Sequence, residues 1–201
     1  MDQEEVIFAA RLNEVEEVEE AVKEYGVDAV LSARDERGNS MLHMVSANNH
    51  LELLKKVVSV DDADDAFINT HKDALAAAVL HQNESKSTAL HWAATNGNKE
   101  LAVYLCDLAK KLGGETEHKL TFATNQSGQS AASEAERGGH DDLVVELLAR
   151  MDALDKGTQA TQPDAESSNE TSNQESSNEQ DFVVKVGDTD QIANKVEEIN
   201  L

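Results

Sequence analysis

The sequence predicts an all-α solenoid of about four helix–turn–helix repeats, with long inter-repeat insertions and a disordered acidic C-terminal tail. Two segments align without a gap: Ser40–Leu54 (SMLHMVSANNHLELL) and Thr88–Ala102 (TALHWAATNGNKELA). A weaker copy is Ser130–Val144 (SAASEAERGGHDDLV). The charge follows the same division. Of a formal −23, residues 1–36 and 152–201 hold −9 each and an insert at 59–84 holds −5, while 37–58 (+2) and 85–151 (−2) are close to balance. A near-neutral stack of repeats with acidic flanks is the simplest reading.

Each copy is preceded by a five-residue turn: Asp35-Glu-Arg-Gly-Asn39, Asn83-Glu-Ser-Lys-Ser87 and Asn125-Gln-Ser-Gly-Gln129. Asp or Asn opens each one, as an Asx turn requires, and Gly38 and Gly128 suit a position with positive φ. Ser40, Thr88 and Ser130 then sit where a hydroxyl caps the first helix. Leu42, Leu90 and Ala132 begin its buried face. Asn49, Gly97 and Gly139 fall in the turn between the two helices, and Leu53-Leu54, Leu101 to Leu105 and Leu143 to Leu148 form the second helix.

This pattern resembles the ankyrin repeat, whose signature is T-P-L-H-x-A. The resemblance implies that His43 and His91 bridge the Ser/Thr hydroxyl and neighbouring backbone, tying one repeat to the next. Met41, Ala89 and Ala131 stand where the family has proline, and Ser133 replaces the histidine of the last copy. The N-terminus fits a degenerate first repeat: Phe8–Asn13 resembles the end of a first helix, and Val15, Val18 and Val22 run at helical spacing along a second. Its opposite face, Glu16, Glu17, Glu19, Glu20 and Glu24, is the polar exterior that a terminal repeat needs. The repeats are placed at about 4–34, 35–58, 83–108 and 125–151, making a repeat domain of residues 1–151 followed by a tail, 152–201.

His43 and His91 are 48 residues apart, and Thr88 and Ser130 are 42 apart, against an ankyrin period of about 33. The excess falls after the second helix, where insertions map to loops on one face. The first insertion holds Asp61–Asp65 and a helix-forming stretch, Asp73–Leu80; the second runs from Ala109 to Phe122. In the tail, residues 157–180 lack any large apolar residue and read as disordered. Phe182–Val186 has strand propensity, and Ile192, Val196 and Ile199 mark a short terminal amphipathic helix.

The same residues argue against several functions. No phosphate-binding loop, nucleophile elbow or zinc-protease motif is present, so an enzyme is not expected, nor any cofactor or metal. The lone Cys106 excludes an internal disulfide and reads as a small buried hydrophobe. Trp92 reads as a core residue, with the binding groove as the alternative. Asp61–Asp65 lacks the spacing and closing Glu of a calcium loop. No apolar run approaches a membrane span. The N-terminus lacks the pattern of a signal peptide, so an intracellular protein is expected. The charge disfavours direct binding to nucleic acid or to anionic membranes and favours a basic partner.

Within the family, the third copy, the insertions and the acidic tail ending VEEINL resemble the small ankyrin-repeat chaperones of a ribosomal protein, best over residues 85–151. That resemblance implies a monomeric escort for a basic, KH-domain ribosomal protein of the small subunit, keeping it soluble until assembly, with cytoplasm and nucleus as its compartments. A generic ankyrin adaptor and an acidic histone-type chaperone are the alternatives. Generic repeat geometry puts recognition at the hairpin tips and exposed first-helix positions. These are Glu36, Arg37, Asn39 and Asn48; then Glu84, Ser85, Ser87, Thr95 and Asn96; then Gln126, Ser127, Gln129 and Arg137.

Overall fold

Each repeat opens with a helix whose cap is written into the sequence. The computed structural model describes residues 2–58 and 65–159, whose regular structure is helical apart from two isolated bridges, Arg34 with Ser40 and Thr124 with Ser130. The first helices are α1 (Gln3–Leu12), α4 (Met41–Asn48), α8 (Ala89–Thr95) and α11 (Ala131–Arg137). Their N-caps are Asp2, Ser40, Thr88 and Ser130, all in extended backbone. At Asp2 the side chain accepts from the Glu5 amide while Glu5 receives the Asp2 amide, closing a reciprocal capping box. The second helices are α2 (Val15–Tyr25), α5 (Leu51–Val58), α9 (Lys99–Leu112) and α12 (Asp141–Gln159). α12 runs eight residues past the boundary drawn at 151, with Met151 packed against the core.

The turn within each pair needs a left-handed residue. Asn13, Asn49, Gly97 and Gly139 fill it at φ 62°, 59°, 69° and 74°. Asn tolerates this region and Gly enters it freely. Gly97 is required twice over, because a Cβ there would stand 2.5 Å from the His140 ring. α1 packs on α4, α4 on α8 and α8 on α11, while α2 meets α5 and α9 meets α12. Leu42, Leu53, Leu54, Leu90, Leu101, Leu105, Leu143 and Leu147 are fully buried between these layers. Alanines at 93, 94, 102 and 109 let the helices approach closely.

Both insertions carry helices, the first of them over the stretch read as helix-forming, Asp73–Leu80. α3 (Val27–Ser32), α7 (Lys72–Leu80) and α10 (Gly114–Thr121) form a third column, α7 packing on both α3 and α10, and the short α6 (Asp65–Thr70) leads into α7. The reason is apolar content at helical spacing. Val30 and Leu31, Leu75, Ala78 and Val79, and Leu120 are all buried. His71 Nδ1 meets Asp28 Oδ1 at 2.7 Å, joining α7 to α3. Asp61–Asp64 and the tail segments, including the strand and terminal helix read from the sequence, lie outside the described residues.

Hydrogen bonds cross between repeats in both directions. His43 Nε2 lies 2.8 Å from the Ser87 carbonyl and His91 Nε2 lies 3.1 Å from that of Gln129. A carbonyl can only accept, so Nε2 carries the proton and Nδ1 accepts. Nδ1 of His43 receives the Ser40 amide at 3.2 Å and its hydroxyl at 2.8 Å, and His91 repeats this with Thr88. Backward ties cap the carboxyl ends of the preceding first helices. His50 reaches the Arg11 carbonyl, Asn98 those of Ser46 and Ala47, and His140 that of Thr95.

One turn residue departs from the pattern. Lys86 holds φ 55° where Gly38 and Gly128 hold 71° and 73°. A side chain in this region costs roughly 1–2 kcal/mol, so Lys86→Gly should raise the urea midpoint or leave it unchanged. The gain is offset in part by the larger entropy of glycine in the unfolded chain. A clear loss of stability would show that the lysine makes a compensating contact.

Candidate protein-binding groove

The three hairpins form a continuous edge beside the first helices. Asp35 Oδ1 accepts the amides of Arg37 and Asn39, at 2.9 and 2.7 Å. Asn83 Oδ1 accepts those of Ser85 and Ser87, both at 3.0 Å, and Asn125 Oδ1 those of Ser127 and Gln129, at 2.9 and 3.1 Å. Neighbouring hairpins are then stitched together. The Glu84 amide donates to the Arg37 carbonyl and the Gln126 amide to that of Ser85. Asn83 Nδ2 donates to Asn39 Oδ1 at 2.8 Å, and His81 Nε2 to the Gly38 carbonyl at 2.7 Å. These bonds hold the hairpin backbones to one another while the tip side chains stay exposed.

The thirteen residues picked out in the sequence fall into three environments. Glu36, Arg37, Glu84, Ser85, Gln126 and Ser127 are exposed at the tips. Asn48, Thr95 and Asn96 are exposed at the ends of α4 and α8, each bonded at 2.8 Å to the carbonyl four residues earlier. Arg137 is exposed at the end of α11 and pairs with Glu134. The remaining three face inward. Asn39 is buried and bonded to Asp35 and Asn83. Ser87 and Gln129 are half-buried, and their carbonyls receive His43 and His91. These three belong to the hairpin framework that presents the others.

At the N-terminal end the edge bounds a recess of about 550 Å³, whose lining includes Glu4, Phe8 and Arg11 of α1, Met44 of α4, and Glu36 and Arg37 of the first hairpin. Phe8 and Arg11 were not among the residues named from the sequence. The available signal was their spacing with Glu4 on one face of α1. Trp92 is half-buried rather than enclosed, with its ring edge-on to His43 at 5.5 Å and 86°.

The buried titratable groups are locked. Burial pushes His43 down to about 4, outweighing the favourable bond to Ser87. His81 and His91 are lowered for the same reason. Burial pushes the Cys106 thiol up to about 12, so it stays protonated. Glu134 is buried against Asn125 Nδ2 (2.7 Å) and Arg137. Among the described residues no group of three or more His, Cys, Asp or Glu could hold a metal, and no helix is long and apolar enough to cross a membrane.

Paired helices, Asx-opened hairpins and histidine ties between successive pairs define a helical-repeat scaffold. A family profile described as ankyrin repeats, in three copies, matches residues 6–111, more than half the sequence, so the chain belongs to the ankyrin-repeat family. It is similar to the ankyrin repeat-containing protein P16F5.05c of Schizosaccharomyces pombe (strain 972 / ATCC 24843), at 40% identity over 58 residues. That match covers 29% of this chain and only 38% of the relative. Among solved structures it is similar to a chain in the crystal structure of the yeast ribosomal protein Rps3 in complex with its chaperone Yar1. The TM-score is 0.61 at 25% identity, covering 75% of this chain and 93% of that one.

Proposed function

We propose that this protein is a non-enzymatic, dedicated chaperone of a basic ribosomal protein of the small subunit, of the KH-domain type. The observation that carries the reading is the fold similarity, over 75% of this chain and 93% of the other, to one chain in the crystal structure of a ribosomal protein with its chaperone. The charge supports it. Ribosomal proteins are basic because they bind RNA phosphates, and a chain of net −23 would speed encounter and mask that basic surface before assembly. Shape selectivity would come from the groove and charge from its rim. The protein acts as a monomer, without nucleic acid, membrane or cofactor, in the cytoplasm and nucleus.

The test is a pull-down of purified client candidates on the full chain. Rps3 should be retained and core histones should not; preferential capture of histones would replace this reading with that of a histone chaperone. Within the proposed rim, the double charge reversal Glu36→Lys and Glu84→Lys should weaken client binding at least tenfold at low salt. Both residues are exposed, so the fold should be unaffected. Unchanged affinity would move the contact away from the hairpin tips.

A further inference from the structure

Large apolar side chains left outside the core are few among the described residues: Phe8, Leu12, Tyr25, Val145 and Leu148. Phe8 and Leu12 stand one turn apart on α1 and are 57% and 51% exposed. Their helix is not short of packing, because Val6, Ile7, Ala9 and Ala10 on its other side are buried. Phe8 also holds a register position. Counting five residues back from the left-handed turn residue of each helix pair gives Phe8, Met44, Trp92 and Glu134. The row is apolar through three repeats and becomes a carboxylate at the last. It is most open at Phe8, where the recess of about 550 Å³ lies between α1, Met44 and the first hairpin.

The recess carries a charge bias. Glu4, Glu5, Asp35 and Glu36 line it against Arg11 and Arg37. An apolar floor inside a charged rim is how strong anchors of protein interfaces are built: one buried side chain supplies affinity and the rim supplies orientation. The volume lies within the range of pockets that enclose a bulky group.

The geometry points to this recess as the anchoring pocket for one large apolar side chain carried on a lysine- or arginine-rich segment of the partner. The apolar side chain seats on Phe8 and Met44, and the flanking cations meet Glu4 and Glu36. This deepens the reading of the protein as a chaperone of a basic client and rests on it for the identity of that client. It assigns the N-terminal end of the groove, rather than the glutamate-ended fourth repeat, as the end that sets apolar specificity.

The test measures affinity calorimetrically for the full chain and two variants. Phe8→Ala removes the floor of the pocket. Val145→Ala removes another exposed apolar side chain, 69% exposed, on α12. Two probes are used: Rps3, and a synthetic peptide of leucine and lysine with a serine–lysine peptide of equal charge as control. Phe8→Ala should lose at least tenfold for both Rps3 and the leucine–lysine peptide, at low and at high salt alike. Val145→Ala should match wild type, and the serine–lysine peptide should bind more weakly and ignore the Phe8 substitution. Wild-type affinity of Phe8→Ala for Rps3 and peptide overturns the pocket while leaving the chaperone reading intact. If Rps3 fails to bind but the leucine–lysine peptide binds in a Phe8-dependent way, the chaperone reading falls and the pocket stands. If the protein binds neither, both fall.

Discussion

His43→Ala should lower the unfolding free energy by about 3–5 kcal/mol, a large part of the total stability of a domain this size. The imidazole is fully buried and joins three polar groups: the Ser40 amide, the Ser40 hydroxyl and the Ser87 carbonyl of the next repeat. Truncation leaves the Ser40 amide buried without its partner, at about 1–3 kcal/mol, removes one of the two bonds to the Ser87 carbonyl, which keeps that from the Asn83 amide, and opens a cavity against Trp92 and His81. The internal comparison is Ser133→Ala, at the equivalent position of the last repeat. Among the described residues no further hairpin follows Ser133, and its hydroxyl meets that of Ser130 at 3.2 Å. That substitution should cost under about 1 kcal/mol. Urea titrations of the two variants decide the matter. Equal losses would mean that the ties between repeats contribute nothing beyond local packing.

Acidification should destabilise the fold through the same histidines. His43 titrates near 4 in the folded chain, against its ordinary value of 6.5. The unfolded state therefore binds the extra proton between those values, and stability falls with falling pH across that window. The full stability is present above about pH 6.5. By pH 4 the His43 contribution to the loss reaches roughly 3 kcal/mol. His81 and His91 are lowered too and act in the same direction. Protonating the excess carboxylates relieves self-repulsion and acts against this loss, so the informative quantity is the difference between wild type and His43→Ala. Chemical denaturation at pH 7, 5.5 and 4.5 should show wild type losing stability more steeply than the variant. Parallel curves would mean that His43 is not held neutral by burial.

The repeats were legible because their constraints are local. A hydroxyl cap, a histidine three residues on and a left-handed turn residue each leave a fixed mark at a fixed spacing, and Ser40, His43 and Asn49 can be read without knowing the fold. The third column was less legible. α3, α7 and α10 are short, and their buried faces are set by the helices beside them; Leu120 is a core residue on α10, which packs on α9 and also meets α7 and α12. The hairpin edge was half legible. Asn39, Ser87 and Gln129 occupy tip segments in the sequence, yet they turn inward because each hairpin also bonds to its neighbour or to a histidine behind it. The spacing of Phe8 with Glu4 and Arg11 was a weak signal, since a phenylalanine on an amphipathic helix is ordinarily a core residue. The exposure of Phe8 depends on the recess between α1 and the first hairpin.

The central claim is that a near-neutral repeat stack gives shape while acidic flanks and rim give attraction to a basic ribosomal protein. A salt titration of the affinity of the full chain for Rps3 tests it most directly. The expected result is tight binding at low salt that weakens steeply as salt rises and keeps a residual apolar component at high salt. The contradicting result is the absence of binding at low salt, or an affinity that does not change with salt.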